Sequence, residues 1–308
     1  MEDQIIRILY PNAKLNLNLY IGQKKKTWWG DWFHEISSFI VPINIFDRMI
    51  FKTGKFNIEY RKIISFEDNS FETLKVEGCI IKKILKKFQL KEDDLNFNVT
   101  IEKNIPFSSG LGGPSTDAAS FIKFLLELNI IKFKDKKNIL KTACEIGSDV
   151  PFFLYNRPAM VSGFGQKIST FKNFPMLYFV LIQPFKKIST KVMYDEIDKI
   201  RMNEKLKEQE FRKNKNIFKN FNKKYLQNTK NCVSSLSEIA NNDFEIIVSK
   251  NYPEFNNWKL LFDKSLFVQI SGAGSSIFGV YENYKDARIC YDNLINIHGR
   301  VFICSCKI

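Results

Sequence analysis

The segment of this chain most suited to chemistry is a glycine-rich turn, PFSSGLGGPS, which runs from Pro106 to Ser115 between a predicted strand and a predicted helix. Gly110, Gly112 and Gly113 let the backbone come close to a ligand. A strand that enters such a turn and a helix that leaves it direct backbone N–H groups and the positive end of the helix dipole at one point, which favours phosphate binding. Further donors are available from hydroxyl side chains, namely Ser108, Ser109, Ser115 and Thr116.

The alternative to phosphate binding is that this turn only reverses the chain direction and binds no ligand. The segment is not a Walker A loop, because no G-K-[ST] follows the glycines, and it lacks the G-x-G-x-x-G spacing of a dinucleotide site. A second glycine turn, SGAGSS, contains Gly272 and Gly274. Alone it is typical of a hairpin, but it offers a second stretch of backbone that can bind an anion.

Lys14 and Asp149 are the pair of side chains whose types suit phosphoryl transfer to an alcohol. That reaction needs a carboxylate near the hydroxyl group and a cation near the developing charge. The alternatives are a solvated lysine on the polar face of a strand, and a polar residue that merely follows a helix and precedes Val150 and Pro151.

The elements that position these residues follow from hydrophobic periodicity. Ala13 to Ile21 alternates between apolar and polar residues, which predicts a half-buried strand. Further strands are predicted at 98–105, 177–183, 266–270, 277–281 and 300–306, and helices at 116–128, 137–146 and 286–297. Strands and helices mixed in this order predict an α+β protein.

Composition limits the classes of protein to which the chain can belong. Its 308 residues are 44% hydrophobic, enough for a core, and the length suggests about two domains. The net charge of +14 is spread along a chain rich in Lys, Asn, Ile and Phe, so we interpret it as a solvated basic surface and expect no nucleic-acid partner. A positive field also suits a phosphorylated substrate.

The expected environment is a reducing cytoplasm. The six cysteines form no C-x-x-C pair and there are two histidines, so no metal site is predicted from them. The segment from Met1 to Tyr10 lacks the apolar core of a signal peptide, and the apolar run from Met176 to Ile182 is too short to span a bilayer, so no membrane partner is expected. A composition shift near Phe171 to Pro175 predicts domains at 1–172 and 173–308, the second with a Lys/Asn-rich insert at about 199–230.

Three segments together resemble the GHMP superfamily of galactokinase, homoserine kinase, mevalonate kinase and phosphomevalonate kinase. They are PNAKLNL from Pro11, the turn from Pro106 to Ala119 that contains GLGG, and ISGAGSSIF from Ile270. The resemblance implies two α+β lobes with the active site in the cleft between them, and the use of ATP with a divalent cation, normally Mg²⁺, held mainly through the phosphates. Ser115 is the weak candidate for a protein ligand, and no other metal-binding residue is assigned.

Within the superfamily, the likeness is greatest to kinases that phosphorylate the 2-hydroxyl of 4-diphosphocytidyl-2-C-methyl-D-erythritol in non-mevalonate isoprenoid precursor biosynthesis. The KLNL of the first motif, the segment IGSDVPFF from Ile146 and the segment DWFH from Asp31 are similar to theirs. The sequence departs from them at Ser108, Ser109 and Pro114, where glycines are usual, and at Trp32.

The resemblance assigns roles to individual residues. Lys14 and Asp149 become catalytic. The ATP-binding residues are Pro106, Ser108, Ser109, Gly110, Leu111, Gly112, Gly113, Ser115 and Thr116. The residues that bind the alcohol substrate are Asn16, Phe33, His34, Tyr194, Gly272 and Gly274, with the base flanked by Phe33 and Tyr194 and hydrogen-bonded by His34.

Two alternatives stay open from the sequence. One is a sister kinase of the same fold that acts on homoserine or mevalonate. The other is a non-enzymatic protein, either a basic nucleic-acid binder or a degenerate sugar sensor, against which the presence of both Lys14 and Asp149 argues. A small-molecule substrate and a monomer or homodimer are expected.

Overall fold

The computed structural model describes residues 4–65, 70–75, 78–132, 136–200, 233, 236–298 and 300–306. The predicted Lys/Asn-rich insert lies outside the described residues beyond Ile200. Within the described ranges, the strands are β1 Ile5–Leu9, β2 Asn12–Asn16, β3 Tyr20–Lys26, β4 Trp32–Phe46, β5 Arg48–Thr53, β6 Ile58–Ser65, β7 Ser70–Leu74, β8 Phe97–Lys103, β9 Ala159–Gly163, β10 Lys167–Thr170, β11 Tyr178–Ile182, β12 Val268–Ile270, β13 Ile277–Tyr281 and β14 Val301–Ser305.

The helices complete an α+β fold, as predicted. They are α1 Ile80–Lys87, α2 Gly113–Glu127, α3 Lys136–Ile146, α4 Val150–Tyr155, α5 Thr190–Ile200, α6 Leu236–Ile239, α7 Glu245–Asn251, α8 Phe255–Leu260 and α9 Tyr284–Ile295, with a short 3₁₀ turn at Glu92–Asp94. No helix in the described part of the chain is both long and apolar enough to cross a bilayer.

One compact unit comprises residues 1–13, 45–107 and 112–156. Its sheet has the order β1-β5-β8-β6-β7 and is antiparallel except where β6 runs parallel to β8. Phe51 on β5 stacks on Phe124 of α2, with ring centroids 3.7 Å apart, and Phe97 of β8 meets the same ring edge-on. This apolar packing holds the C-terminal half of α2 against the sheet.

The other compact unit comprises residues 14–44, 108–111 and 157–308. One of its sheets has the order β10-β9-β4-β2, with β3 paired to β4, and the other has the order β12-β13-β11-β14. β4 pairs with β9 from Ile36 to Ile40, which ties residues early in the chain to residues after 157. The division therefore differs from the contiguous boundary predicted near residue 172, because strand pairing groups segments that are far apart in sequence.

The predicted single strand from Ala13 to Ile21 is wrong in two respects. It divides into β2 and β3, and the residues of its polar face are buried rather than solvated. The side chain of Asn18 causes the break, because its Oδ1 accepts the N–H of Phe39 at 2.7 Å and its backbone carbonyl accepts Ser38 Oγ. Beyond it, Leu19 N–H bonds to Asn241 O at 2.7 Å instead of continuing along β4.

The remaining predicted strands and helices are confirmed with boundary shifts of one or a few residues. β13 has the predicted bounds from Ile277 to Tyr281, whereas α2 begins at Gly113 rather than Thr116. The earlier beginning of α2 follows from Pro114, because proline is favoured in the first turn of a helix, where its missing N–H costs no hydrogen bond.

Candidate active site

The glycine-rich turn from Pro106 to Ser115, called the phosphate loop from here on, is hydrogen-bonded through its first half to the second glycine turn. Ser276 N–H donates to Ser109 O at 3.1 Å, and Ser275 N–H donates to Ser108 O at 3.3 Å. Ser271 Oγ donates to Gly110 O at 3.1 Å. The two glycine turns noted in the sequence, more than 150 residues apart along the chain, are therefore adjacent within one compact unit.

Gly110 is required by this arrangement. Its φ is +78°, and a Cβ built there would lie 2.0 Å from Ser271 O and 2.9 Å from Gly274 O, both backbone atoms. Since real Cβ atoms do not approach backbone oxygens so closely, no side chain fits at position 110. Ser108 also has a left-handed backbone, with φ +55°, at a position where the resembled kinases have glycine.

Lys14 and Asn16 lie beside the same two turns. Lys14 N–H donates to Leu111 O at 3.0 Å, and the Lys14 ammonium donates to Asn16 Oδ1. A Cβ on Gly272 would lie 3.4 Å from Lys14 Nζ and 3.5 Å from Asn16 Oδ1. Lys14 is only 2% exposed, so the solvated-lysine alternative is wrong. Burial of an ammonium group is costly unless polar groups compensate it, and Asn16 Oδ1 is one of the groups that do so here.

The second half of the phosphate loop belongs to the other compact unit. Gly112, with φ +79°, immediately precedes α2, and Thr116 N–H donates to Gly112 O at 3.0 Å. Pro114 removes one N–H donor from the first turn of α2, and the remaining N–H groups of that turn are the kind of donors that attract an anion at a helix start. Pro106, the first residue of the predicted loop, is buried.

Asp149 stands at the beginning of α4 in the same unit as the start of α2. The turn before it is closed by Val150 N–H, which donates to Gly147 O at 3.0 Å. A Cβ on Gly147 would lie 3.6 Å from Ser115 Oγ, so this turn lies beside the first turn of α2. Burial raises the pKa of the Cys144 thiol to about 12, and the nearby negative charge of Asp149 adds to the rise. Asp149 itself is half-buried.

A buried ion cluster supports the first turns of α2. The Lys103 ammonium lies between the carboxylates of Asp47 and Asp117, at 2.6 Å from Asp117 Oδ2. Asp47 Oδ1 also accepts the N–H groups of Asn104 and Ile105, whereas Asp117 Oδ1 is buried and has no hydrogen-bond partner. Burial and the charge of Asp47 raise the pKa of Asp117 to about 7, against the opposing effect of Lys103. The buried carboxyl of Asp117 therefore takes up a proton more readily than an exposed aspartate does.

The predicted base-binding residues lie in the unit that contains Lys14. His34 stacks on Tyr194 of α5, with ring centroids 4.8 Å apart and an interplanar angle of 17°. Phe33, 46% exposed, instead contacts Trp29 edge-on, with centroids 5.5 Å apart. The flanking of a base by Phe33 and Tyr194 stays a prediction, and in this structure the aromatic partner on the face of Tyr194 is His34.

Two polar residues in this region were not singled out from the sequence. Asp198 Oδ1 lies 2.9 Å from His34 Nε2, and Asn242 Nδ2 donates to both Ile270 O and Gly272 O. The signal for Asp198 was its place four residues after Tyr194 on a helix, which puts the two side chains on one face. Asn242 has no comparable local signal, because its partners are 28 and 30 residues away.

The described residues offer few protein atoms that could bind a divalent cation. Over the described ranges, no three His, Cys, Asp or Glu side chains are grouped so that they could hold a metal ion. Mg²⁺ commonly keeps several waters and is bound through substrate phosphates with one or two protein oxygens. The hydroxyl of Ser115, beside the turn that precedes Asp149, is compatible with such a sparse site.

Comparisons with known proteins cover nearly the whole chain. Residues 78–157 match the model of the GHMP kinases N terminal domain. A protein of Thermosipho africanus named 4-diphosphocytidyl-2-C-methyl-D-erythritol kinase is 30% identical over 291 residues, which are 94% of each chain. A Clostridium botulinum protein of the same name is 28% identical over 296 residues, 95% of this chain and 97% of that protein.

Solved structures agree on the fold. A crystal structure of 4-(cytidine 5'-diphospho)-2C-methyl-D-erythritol kinase has a TM-score of 0.66 at 20% identity, covering 97% of this chain and 98% of that one. The mevalonate kinase of Methanococcus jannaschii has a TM-score of 0.65 at 15% identity, covering 98% of each. These similarities establish the fold that the three sequence motifs predicted.

Proposed function

Because this chain belongs to the family of 4-diphosphocytidyl-2-C-methyl-D-erythritol kinases, we propose that it transfers a phosphoryl group from ATP to the 2-hydroxyl of 4-diphosphocytidyl-2-C-methyl-D-erythritol. The enzyme is an ATP-dependent phosphotransferase with an alcohol acceptor, and the reaction is a step of isoprenoid precursor biosynthesis. Sister kinases for homoserine or mevalonate are not favoured, since the solved mevalonate kinase is 15% identical and establishes only the fold.

One observation carries the proposal. It is the identity of 30% with the Thermosipho africanus kinase, maintained over 94% of both chains. The interior of the site supports it physically, because a lysine that is 2% exposed lies beside two glycine turns that hydrogen-bond each other. Backbone turns of this kind can bind an anion, and a buried ammonium beside them adds to that attraction.

In this proposal Lys14 and Asp149 divide the electrostatic tasks of phosphoryl transfer. Asp149 accepts or orients the proton of the acceptor hydroxyl, and Lys14 stabilises the charge that develops on the transferred group. The hydrogen bond from Lys14 to Asn16 supports the role of Lys14, because it fixes the ammonium beside Gly272. The half-buried position of Asp149 at the start of α4 supports its role, since such a carboxylate can reach a ligand.

The phosphate loop from Pro106 to Thr116 binds the phosphates of ATP in this proposal. The N–H groups at the start of α2 and the positive end of its dipole supply the attraction. Gly112, with φ +79°, keeps the approach to that helix start open. Mg²⁺, bound mainly by the phosphates and with Ser115 as the candidate protein ligand, would supply further charge neutralisation.

Phe33, His34 and Tyr194 recognise the cytosine of the acceptor in this proposal. Their support is the exposed ring of Phe33 and the fixed ring of His34, held by Tyr194 and Asp198. Asn16, Gly272 and Gly274 bind the part of the acceptor close to Lys14. A cytoplasmic location and a monomeric or homodimeric state stay predictions.

An assay of the purified protein tests the function. ATP consumption is coupled to a spectrophotometric readout, with the diphosphocytidyl substrate, homoserine and mevalonate as separate acceptors, and ³¹P NMR identifies the product. We expect turnover with the cytidine-bearing acceptor to exceed turnover with the others by at least about a hundredfold in kcat/KM, which corresponds to about 3 kcal/mol of discrimination. Preference for homoserine or mevalonate would transfer the assignment to a sister kinase.

A further inference from the structure

A cavity of about 500 Å³ opens beside the first half of the phosphate loop. One side is Ser108, and the other is the segment that connects β11 to α5. The residues of that segment that line the cavity are Gln183, Pro184, Phe185, Lys186 and Lys187. All of these belong to the compact unit that also holds Lys14, His34 and Tyr194.

The walls of this cavity are held in place by the surrounding fold. Gln183 Nε2 donates to Ser275 Oγ at 2.8 Å, and Ser275 Oγ donates to Ser108 O at 3.3 Å. The hydroxyl of Tyr252 donates to Lys186 O at 2.7 Å. The ring of Phe185 stacks on Trp258, with centroids 5.6 Å apart and planes 9° apart. The cavity is therefore formed by ordered contacts and not by an unconstrained loop.

The chemistry of the lining favours an anion with more than one charge. Two consecutive lysines face a cavity whose described lining residues include no carboxylate. Lys186 is exposed and Lys187 is half-buried, so one or both can be presented to a ligand without unfolding the segment. The exposed hydroxyl of Ser108 can add a hydrogen bond. Charge-assisted hydrogen bonds from ammonium groups to phosphate oxygens are among the strong polar contacts in proteins.

The position of the lysines in the chain favours the phosphates of the acceptor as the ligand. Lys187 is seven residues before Tyr194, and the segment runs directly from the cavity into the helix that carries Tyr194. The acceptor of the proposed reaction has a base at one end, a reacting alcohol at the other and a diphosphate between them. The N–H groups proposed to attract the phosphates of ATP are those at the start of α2 after Gly112, whereas Ser108, near the other end of the same loop, lines the cavity.

We propose that Lys186 and Lys187, with Gln183 and Ser108, form a subsite for the diphosphate bridge of the acceptor. The subsite rests on the proposed function, since it places a nucleoside diphosphate between the base-binding rings and the glycine turns. It makes the two lysines specificity-determining residues, because an acceptor without the bridge gains nothing from them. They act on binding and not on the chemical step.

The test uses two double variants. The first, the alanine pair, carries Lys186→Ala and Lys187→Ala, and the second, the arginine pair, carries Lys186→Arg and Lys187→Arg and so keeps both charges. Lys285→Ala, which removes an exposed lysine on α9, is the control for net charge. The measured quantities are kcat, the KM of the diphosphocytidyl acceptor and the KM of ATP. Competitive inhibition by cytidine, CMP and CDP is measured for each variant. The inhibition constants give the contribution of each added phosphate to binding.

The alanine pair should raise the KM of the acceptor about tenfold to a hundredfold, with the KM of ATP and kcat within about threefold of the wild type. The arginine pair should retain most of the wild-type affinity, and Lys285→Ala should match the wild type. In the wild type, CDP should have a lower inhibition constant than CMP and cytidine. In the alanine pair the three inhibition constants should be similar, with the constant for cytidine unchanged from the wild type. Added salt should weaken acceptor binding more in the wild type than in the alanine pair.

A rise in the KM of ATP with no change for the acceptor would overturn the subsite in favour of the donor phosphates. Unchanged constants for both substrates would overturn it as well. These outcomes differ from failure of the proposed function, which would appear as poor turnover of the diphosphocytidyl acceptor by the wild-type enzyme. If another acceptor is phosphorylated instead, inhibition by CDP can be measured on that reaction, so the two failures can be told apart.

Discussion

The imidazole of His34 lies flat on the ring of Tyr194, with centroids 4.8 Å apart and planes 17° apart. Phe244 also contacts Tyr194, and its ring meets the tyrosine ring edge-on with centroids 5.1 Å apart. His34 is further fixed by Asp198, which lies 2.9 Å from Nε2. His34 and Tyr194, two of the three residues proposed to bind cytosine, are therefore positioned by each other.

Removal of both rings proposed to flank the base should affect one substrate selectively. Phe33→Ala with Tyr194→Ala should lower kcat/KM for the diphosphocytidyl acceptor by about two to three decades, because a stacked base is worth about 1–3 kcal/mol per contact. The poor reaction with 2-C-methylerythritol 4-phosphate, which lacks the cytidylyl group, should hardly change. Steady-state kinetics with the two acceptors measure the difference.

Tyr284→Ala, which removes another half-exposed tyrosine ring, is the control for general loss of aromatic packing. Equal losses on both acceptors would mean that Phe33 and Tyr194 support the fold rather than bind the base.

Asp198 should act as a positioning residue for His34. Asp198→Ala removes the partner of Nε2 and should raise the KM of the diphosphocytidyl acceptor about fivefold to tenfold, as expected for a partly exposed hydrogen bond of about 1 kcal/mol. The kcat and the KM of ATP should change little. Asp195→Ala, an exposed aspartate on the same helix, is the matched control, and an equal effect in that variant would contradict the role of Asp198.

Asp149→Asn should lower kcat by about a hundredfold or more, the range for loss of a general base, and leave the KM of ATP nearly unchanged. The amide keeps the shape of the side chain but cannot accept the proton of the acceptor hydroxyl. The exposed Asp292→Asn on α9 serves as control. Activity within a few-fold of the wild type would rule out Asp149 as the base.

Gly110→Ala should damage both stability and ATP binding. The new Cβ would lie 2.0 Å from Ser271 O, so the bonds between the two glycine turns have to break or shift. Gly78→Ala is a matched control, because Gly78 has φ +67° and open space around it, so that only backbone strain of about 1 kcal/mol applies.

Thermal unfolding and the KM of ATP distinguish the two glycine variants. Gly110→Ala should lower Tm by several degrees more than Gly78→Ala and raise the KM of ATP. A normal Tm and normal ATP binding in Gly110→Ala would show that the two glycine turns are not held together as described.

The buried carboxyl of Asp117 should make stability depend on pH. Its pKa is raised from 3.8 to about 7 in the folded state, so the folded protein holds a proton that the unfolded chain releases. Stability from this group is therefore fully present below about pH 4, falls as the pH rises to about 7 and is constant above that. Asp117→Asn should remove this dependence, because the amide has no charge to bury.

Urea unfolding between about pH 5 and about pH 8 measures the effect. The wild type should lose on the order of 1–3 kcal/mol relative to Asp117→Asn across that range. The exposed Asp263→Asn should follow the wild type. A constant difference between wild type and Asp117→Asn would mean that Asp117 stays ionised beside Lys103.

The sequence by itself determined the fold class, the three motifs, and the positions of β8, β11 to β14, α2, α3 and α9. These depend on local periodicity, on turn chemistry and on residue types that a short segment already contains. β13 is predicted with its bounds because its apolar run between turn residues is complete in itself.

Only the tertiary structure decided that Lys14 is buried, that the strand predicted at 13–21 breaks at Asn18, and that His34 contacts Tyr194. In each case the partner is far away in sequence: His34 and Asp198 are 164 residues apart, and Ser271 and Gly110 are 161 apart. The polar side chains of Lys14, Asn16 and Asn18 look solvated in sequence because alternation reports polarity and not exposure. Which polar groups are buried depends on whether distant chain segments supply their hydrogen bonds, and that is settled only when the sheets pack.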